Sequence, residues 1–538
     1  MKTNRRTFLG AAGFGLTGLC LNTTPASANP PVQAARREAP PSHREGGGNP
    51  RDVKINVKLV YYAMINSTTW EGPCVYDDMP TPEEKVVQER QAFARTVASL
   101  KDSLSHHAVL LEPAYFEFPE NAKPSHEDIR QLDADKDEVD VFFLTGAGSH
   151  QELRFASLLA DIYKKPIVPA AHYGRTTAAY LKSIGMEGYP TYVYGDQNKL
   201  IGLLRARKAF QQCRMLLVTD IGGALKGPGY MRGSARDFDD LKNRFGIGVA
   251  IVSYKELSEA RERILQDRKQ MQEVEGLTDR IWANARRRHM EKEVFQANVL
   301  FYHTIKSLME KHRCNSYSIE CIEFCASRLA QAWKVTPCVS FSLLNAEGYP
   351  TACEGEIGCL LAMNLFSSIA DKSVYLGNLN PHVPGVCDPE QWVEGADRKQ
   401  TLFRFGHNVP GLKMLGYNQP DLPYEIRNFV PAKNNAPGWG GSLKVDFTKI
   451  EDRILTLGRF NPATTKLLAA RVELVGMRGF NAERCSTEMH LSVPDSKEFH
   501  LKTADYGHHY VAVYGDYLQE LAHLGDMLGI EVQLHGVA

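Results

Sequence analysis

Near Pro384 the hydrophobic pattern of this 538-residue chain changes period, and that change narrows most what it can fold into. Before it, short apolar runs alternate with long segments of helical spacing. Val57 to Tyr62, Val139 to Leu144, Pro166 to Pro169, Met215 to Thr219 and Gly248 to Val252 read as strands, and Thr81 to Leu104 and Gln151 to Tyr163 as helices. Strand and helix in alternation imply parallel sheets covered by helices. A charged helical stretch, Ser253 to Lys311, follows, with Arg286, Arg287 and Arg288 on its solvated face. Tyr317 to Cys321, Cys338 to Leu344 and Val374 to Leu376 are then expected as further strands. Past Pro384 the strands shorten, alternate apolar with polar, and end in glycine and proline turns, as in Leu443 to Phe447, Arg471 to Leu474 and Thr487 to Val493. The expected fold class is therefore α/β: two parallel-sheet α/β domains, residues 51–230 and 231–384, followed by a β-rich, barrel-like C-terminal domain, residues 385–538. A chain of this length exceeds a single core, which agrees with that division.

The first fifty residues belong to none of these domains. Asn4-Arg5-Arg6-Thr7-Phe8-Leu9-Gly10 precedes a small-residue apolar run and an Ala26-Ser27-Ala28 sequence, the pattern of a twin-arginine export signal. Residues 1–28 are expected to be removed, residues 29–50 to form a disordered tether, and the mature protein to work in the periplasm or outside the cell. No other segment has the length and apolarity of a membrane span. Basic and acidic residues number 63 each, so net charge gives no reason to expect a nucleic-acid partner. The eleven cysteines contain no Cys-x-x-Cys pair. Cys321 and Cys325 read as core residues, and Cys353 has no histidine base beside it.

Three polar clusters carry the functional signal. Glu354 and Glu356 follow the turn at Gly348 and Pro350 and precede a helical run from Leu360 to Ile369, which puts Glu354 near a helix start. Asn378 closes the short strand after that helix, and in open α/β sheets ligands collect at such ends. His508 and His509 open an alternating strand near the C-terminus, and paired histidines at a strand start suit metal ligation or ordinary hydrogen bonding. Arg404 and His407 could hydrogen-bond hydroxyl groups. Trp392 and Trp439, in loops, could stack on a sugar ring or anchor the chain. The loops at Gly146 and at Asp220 to Gly229 read as turns or substrate loops.

Taken together, these pieces resemble the L-fucose isomerase and L-arabinose isomerase family, from roughly Ile55 to the C-terminus. Glu354 matches the family's glutamate and His509 its C-terminal histidine. Asn378, 24 positions after Glu354, stands where L-fucose isomerases carry an aspartate. The resemblance implies two α/β domains and a β-rich domain. It also implies a divalent cation, Mn2+, held by Glu354, Asn378 and His509, a homo-oligomer, and aldose–ketose isomerisation through an enediol with Glu354 as base. Asparagine keeps an oxygen donor but loses the charge, so Glu356, His382, His407 or Asp388 would have to make up the ligand set. Two other readings stay open. One is a secreted glycoside hydrolase acting on oligosaccharides with Glu354, Glu356 or another carboxylate as general acid or base. The other is a sugar-binding protein without turnover.

Overall fold

A computed structural model describes residues 47–65, 80–119, 122–146, 149–169, 174–190, 197–220, 237–387, 392–393, 397, 399–434 and 436–536. The export motif, most of the tether, the loop from Ile221 to Gly229 and Asp388 lie outside the described residues.

The first sheet is parallel and centred on β1 (Ile55–Ile65), flanked by β2 (Ala108–Leu110), β3 (Ala114–Pro119) and β4 (Val141–Gly146), with β5 (Ile167–Pro169) beyond β4. Alternation along β1 explains why it is central. Ile55, Val57 and Leu59 enter the main core, whereas Val60 and Tyr62 face a second core with Phe142, Leu144 and Phe155. Both faces are thus buried, as expected of a parallel sheet.

The second parallel sheet contains β6 (Arg214–Val218) and β7 (Gly248–Val252). Residues 286–288, expected on a helix, instead lead into β8 (Arg287–His289), which pairs in parallel with Glu425 to Arg427 in a small third sheet. The helices on either side end at Asn284 and begin at Lys292. Arg288 there donates to the carbonyls of Trp282 and Ala283, capping the preceding helix. β9 (Ser316–Ile319) and β10 (Thr351–Ala352) complete the second sheet.

Cys338 to Leu344, expected as a strand, is part of the helix Cys338–Glu347. Every residue from Cys338 to Asn345 is buried, so the run shows no alternation, and periodicity cannot separate a short buried helix from a buried strand. Gly348 ends the helix with φ 93°, a left-handed conformation suited to glycine.

Seven further strands form one largely antiparallel sheet: β11 (Tyr375–His382), β12 (Leu402–His407), β15 (Ile454–Phe460), β16 (Lys466–Arg478), β17 (Thr487–Ser492), β18 (His509–Tyr514) and β19 (Glu531–His535), which alone joins in parallel. Their order is β15-β18-β11-β12-β17-β16-β19, and a further β15–β16 pairing closes the sheet into a barrel. β13 (Tyr424–Val430) and β14 (Trp439–Val445) make the third sheet with β8. The chain is therefore α/β with parallel sheets followed by a C-terminal β-barrel, as its sequence implies. β11 is longer than expected, and Asn378 lies within it rather than at its end. Gly377 permits this, because a Cβ there would sit 2.7 Å from the amide nitrogen of Gly406 on β12.

The helix Ile357–Ala370 is buried from Ile357 to Ser368 and packs against the helix Gln197–Gln211, β9, β10 and barrel strands β15 and β18. Its N-terminus is thus fixed where the second sheet meets the barrel.

Candidate metal and substrate site

Glu354 follows β10 in a tight turn, with φ 56° at Glu354 and 62° at Gly355. Two successive left-handed residues reverse the chain. Gly355 then donates its N–H to the carbonyl of Ile319 at the end of β9. A glutamate in this conformation is uncommon and costs free energy, which points to a constraint on its side chain.

That side chain meets two histidines from different barrel strands. Glu354 Oε1 lies 3.2 Å from His407 Nε2 at the end of β12, and Glu354 Oε2 lies 3.3 Å from His509 Nε2 at the start of β18. Ligand atoms of the three residues all fall within 4.8 Å of one another. The Glu354 side chain keeps 20% exposure, whereas those of His407 and His509 are each 2% exposed. Both His509 ring nitrogens are buried without hydrogen-bond geometry to any described partner. Two histidines and one carboxylate, with one side open, match the donor set of first-row transition ions.

The supporting contacts orient these groups. Glu356, the second carboxylate expected to be catalytic, is buried at the N-cap of Ile357–Ala370. Its Oε1 lies 3.7 Å from His509 Nδ1, and its Oε2 3.4 Å from an Arg459 guanidinium nitrogen. Arg459 also donates to the carbonyls of His509 and Phe460, at 2.9 and 3.1 Å. A carboxylate behind a histidine is a frequent way to orient a metal ligand. His407 Nδ1 faces Cys485 Sγ at 3.1 Å.

Electrostatics divides the carboxyl groups. Burial pushes Glu354 up, but His407 and His509 outweigh it and hold the carboxylate well below its usual range. The histidines answer in kind. Burial lowers both, yet Cys485 and Glu354 raise His407, and Glu354 and Glu356 raise His509, each to about 9. Glu320, directly after β9, is 1% exposed with an unpartnered Oε1. Burial and the charges of Glu323, Glu354 and Glu356 push it up to about 8. Sequence reasoning missed Glu320, although an acidic residue directly after a strand was a signal in plain view.

A second group of ligand atoms within 4.8 Å joins Glu354 to Cys321 and Cys353, whose sulfur atoms are 2.9 Å apart. Burial holds the Cys353 thiol well above its ordinary value. The histidine group is the better cation site.

The other expected residues separate into distinct places. Asn378 stands directly opposite His509 in register and opposite Gly406 on its other side. His508 is exposed, with its ring 4.1 Å from that of His509. Arg404 lies on β12 paired with Asn380 and His490. Trp392 packs edge-on against His382 at 4.7 Å. Trp439 opens β14 in the third sheet with Lys334 Nζ 5.7 Å from its ring centroid.

No family model matches the chain, and no curated protein matches it. Among solved structures it is similar to an ABC transporter periplasmic solute binding protein from Actinobacillus succinogenes 130z with bound D-allose. The identity is 12%, over 52% of this chain and 83% of that one, with a TM-score of 0.14. Likeness at that level carries no argument about fold or function. Among the described residues, no helix is long and apolar enough to cross a membrane.

Proposed function

We propose that the protein is a metal-assisted aldose–ketose isomerase acting on a free sugar, exported through its twin-arginine leader and working as a homo-oligomer. The observation that supports this reading most is the convergence of Glu354, His407 and His509 beside Glu320, a carboxyl group poised near neutrality. His407 takes the place left by the aspartate-to-asparagine change at Asn378, so Glu354, His407 and His509 would hold the cation, with manganese the ion proposed. Such an ion supplies Lewis acidity at neighbouring sugar oxygens.

The chain's own groups do the rest. Glu354 stays ionised and is therefore a weak base and a strong ligand. Glu320, near 8, is matched to taking a proton from one sugar carbon and returning it to its neighbour. Glu356 and Arg459 hold His509 in place. Asn378, opposite His509 in register, would offer its amide to a sugar hydroxyl.

Proton NMR in deuterated buffer with Mn2+ and L-fucose, L-arabinose or D-arabinose tests this directly. Loss of the C2 hydrogen and growth of ketose signals are expected, and both should vanish in Glu354→Gln. No exchange with any aldose would overturn the reading.

One observation favours a second reading. An ionised Glu354 beside a protonated Glu320 is also the split of roles that a glycoside hydrolase needs. Glu356 is tied to Arg459 and His509 and does not serve as that partner. Release of reducing ends from oligosaccharides without Mn2+ would favour hydrolysis.

A further inference from the structure

Two residues along the strands from Asn378, the same face of the barrel carries a second polar row. Register places Asn380, Arg404 and His490 side by side across β11, β12 and β17, with His382 two residues further along β11. Arg478 of β16 joins this face opposite Glu488. His382 and His490 are both fully buried, and neither ring nitrogen of either has a hydrogen-bond partner among the described residues. Arg404 Nε is likewise buried and unpartnered. Trp392 covers His382 from one side, and the His382 and His490 rings are 6.0 Å apart.

Four unpartnered imidazole nitrogens and a guanidinium N–H in one place are costly unless a ligand satisfies them. The charges acting on the two histidines are all cationic. Burial lowers both, Arg404 and Arg478 lower them further, and His490 falls to about 4. Each neutral imidazole offers one N–H, so the two histidines and Arg404 Nε present three unpartnered donors. Glu488 is the carboxylate on this face, opposite Arg478 in register, and it does not act on the histidines, so three donors among cationic groups suit an anion.

We propose that Arg404, His490 and His382 form an oxyanion subsite that binds the ionised substituent of a sugar, a sulfate ester, phosphate ester or carboxylate, whose ring lies at Glu354. Strand geometry supplies the spacing: two residues correspond to about 7 Å, roughly the width of a sugar ring. Asn378 lies between the two ends. The substrate would then be an acidic sugar rather than a neutral one. This rests on the carbohydrate reading above, whereas the anion subsite itself does not.

Isothermal titration of the full chain with inorganic sulfate, glucuronate and glucose separates the two. Wild-type protein should bind sulfate, and glucuronate at least tenfold more tightly than glucose. Arg404→Gln should lose about tenfold or more for both anions, a larger loss than for glucose. Asn380→Asp is a second variant at an exposed position, isosteric with the original, and it places a negative charge beside Arg404. It should weaken both anions to a similar degree, with an unchanged circular dichroism spectrum. Sulfate binding that both variants weaken, without binding of any sugar, would uphold the anion subsite and overturn the carbohydrate reading. Glucose and glucuronate bound equally, with no sulfate binding, would overturn the subsite and leave the carbohydrate reading intact. Sulfate binding that neither variant changes would identify an adventitious ion only and also overturn it.

Discussion

Glu354 combines an unfavourable backbone conformation with an ion-pairing side chain, and its neighbours show what it offsets. Replacing it by glutamine keeps the shape and removes the charge that fixes both histidines. Glu354→Gln should therefore weaken Mn2+ binding at least tenfold while the melting temperature stays within a few degrees, as read by manganese paramagnetic resonance and circular dichroism. The pH dependence has a definite sign. His407 and His509 titrate near 9 in the folded protein and near 6.5 when unfolded, so their contribution to stability is complete below pH 6.5. It is lost as pH rises through 9. In metal-free protein the urea midpoint should fall between pH 6.5 and 9, and the fall should be smaller in Glu354→Gln. A midpoint that rises over that window would contradict the assigned ion pairs.

The barrel strands that carry the site meet at glycines. A Cβ on Gly406 would lie 2.6 Å from the carbonyl oxygen of Thr487 and 2.7 Å from the Cα of Glu488, both backbone atoms of β17. Gly406→Ala should cost about 1–3 kcal/mol by forcing the strands apart, read as a lower urea midpoint. Because His407 is the next residue, Mn2+ affinity should fall with it. At this scale the sequence was readable where periodicity was. β1, β4, β6, β7, β16 and β17 follow from runs of apolar or alternating residues flanked by turn signals. The buried helix Cys338–Glu347 was not, because a segment apolar on every side has no face to read. Nor was the continuation of β11 past Gly377 to His382, since glycine and proline ordinarily end a strand and here a close strand crossing requires the glycine. In the site, Glu354 and His509 were legible from motif order. His407 was one of four candidates to complete the ligand set, and singling it out depends on how β12 and β10 approach in space.

Arg205 links distant parts of the molecule. From the helix Gln197–Gln211 it donates to the carbonyls of Arg51 and Val53 ahead of β1 and to Ser368 near the end of Ile357–Ala370, at 2.9–3.1 Å. It is 2% exposed, and burial lowers its pKa without removing its charge. Arg205→Ala would strand three carbonyl acceptors and should destabilise the protein by about 3 kcal/mol, measured by urea denaturation. The loss should reach both the first sheet and the barrel-facing helix, so amide exchange is expected to rise in β1 and in Ile357–Ala370 together.

The three residues of the cation group also fix an order of events during synthesis. His509 follows Glu354 by about 155 residues, which takes roughly 8–30 s of translation at 5–20 residues per second. For the first 53 of those residues the chain carries the carboxylate alone, and for the remaining 102 the carboxylate and one imidazole, without the strand that supplies the second. β18 must be released and inserted between β15 and β11 before the donor set exists. A cation held by this donor set would therefore be acquired only after translation, and a chain truncated before Gly507 would lack His509.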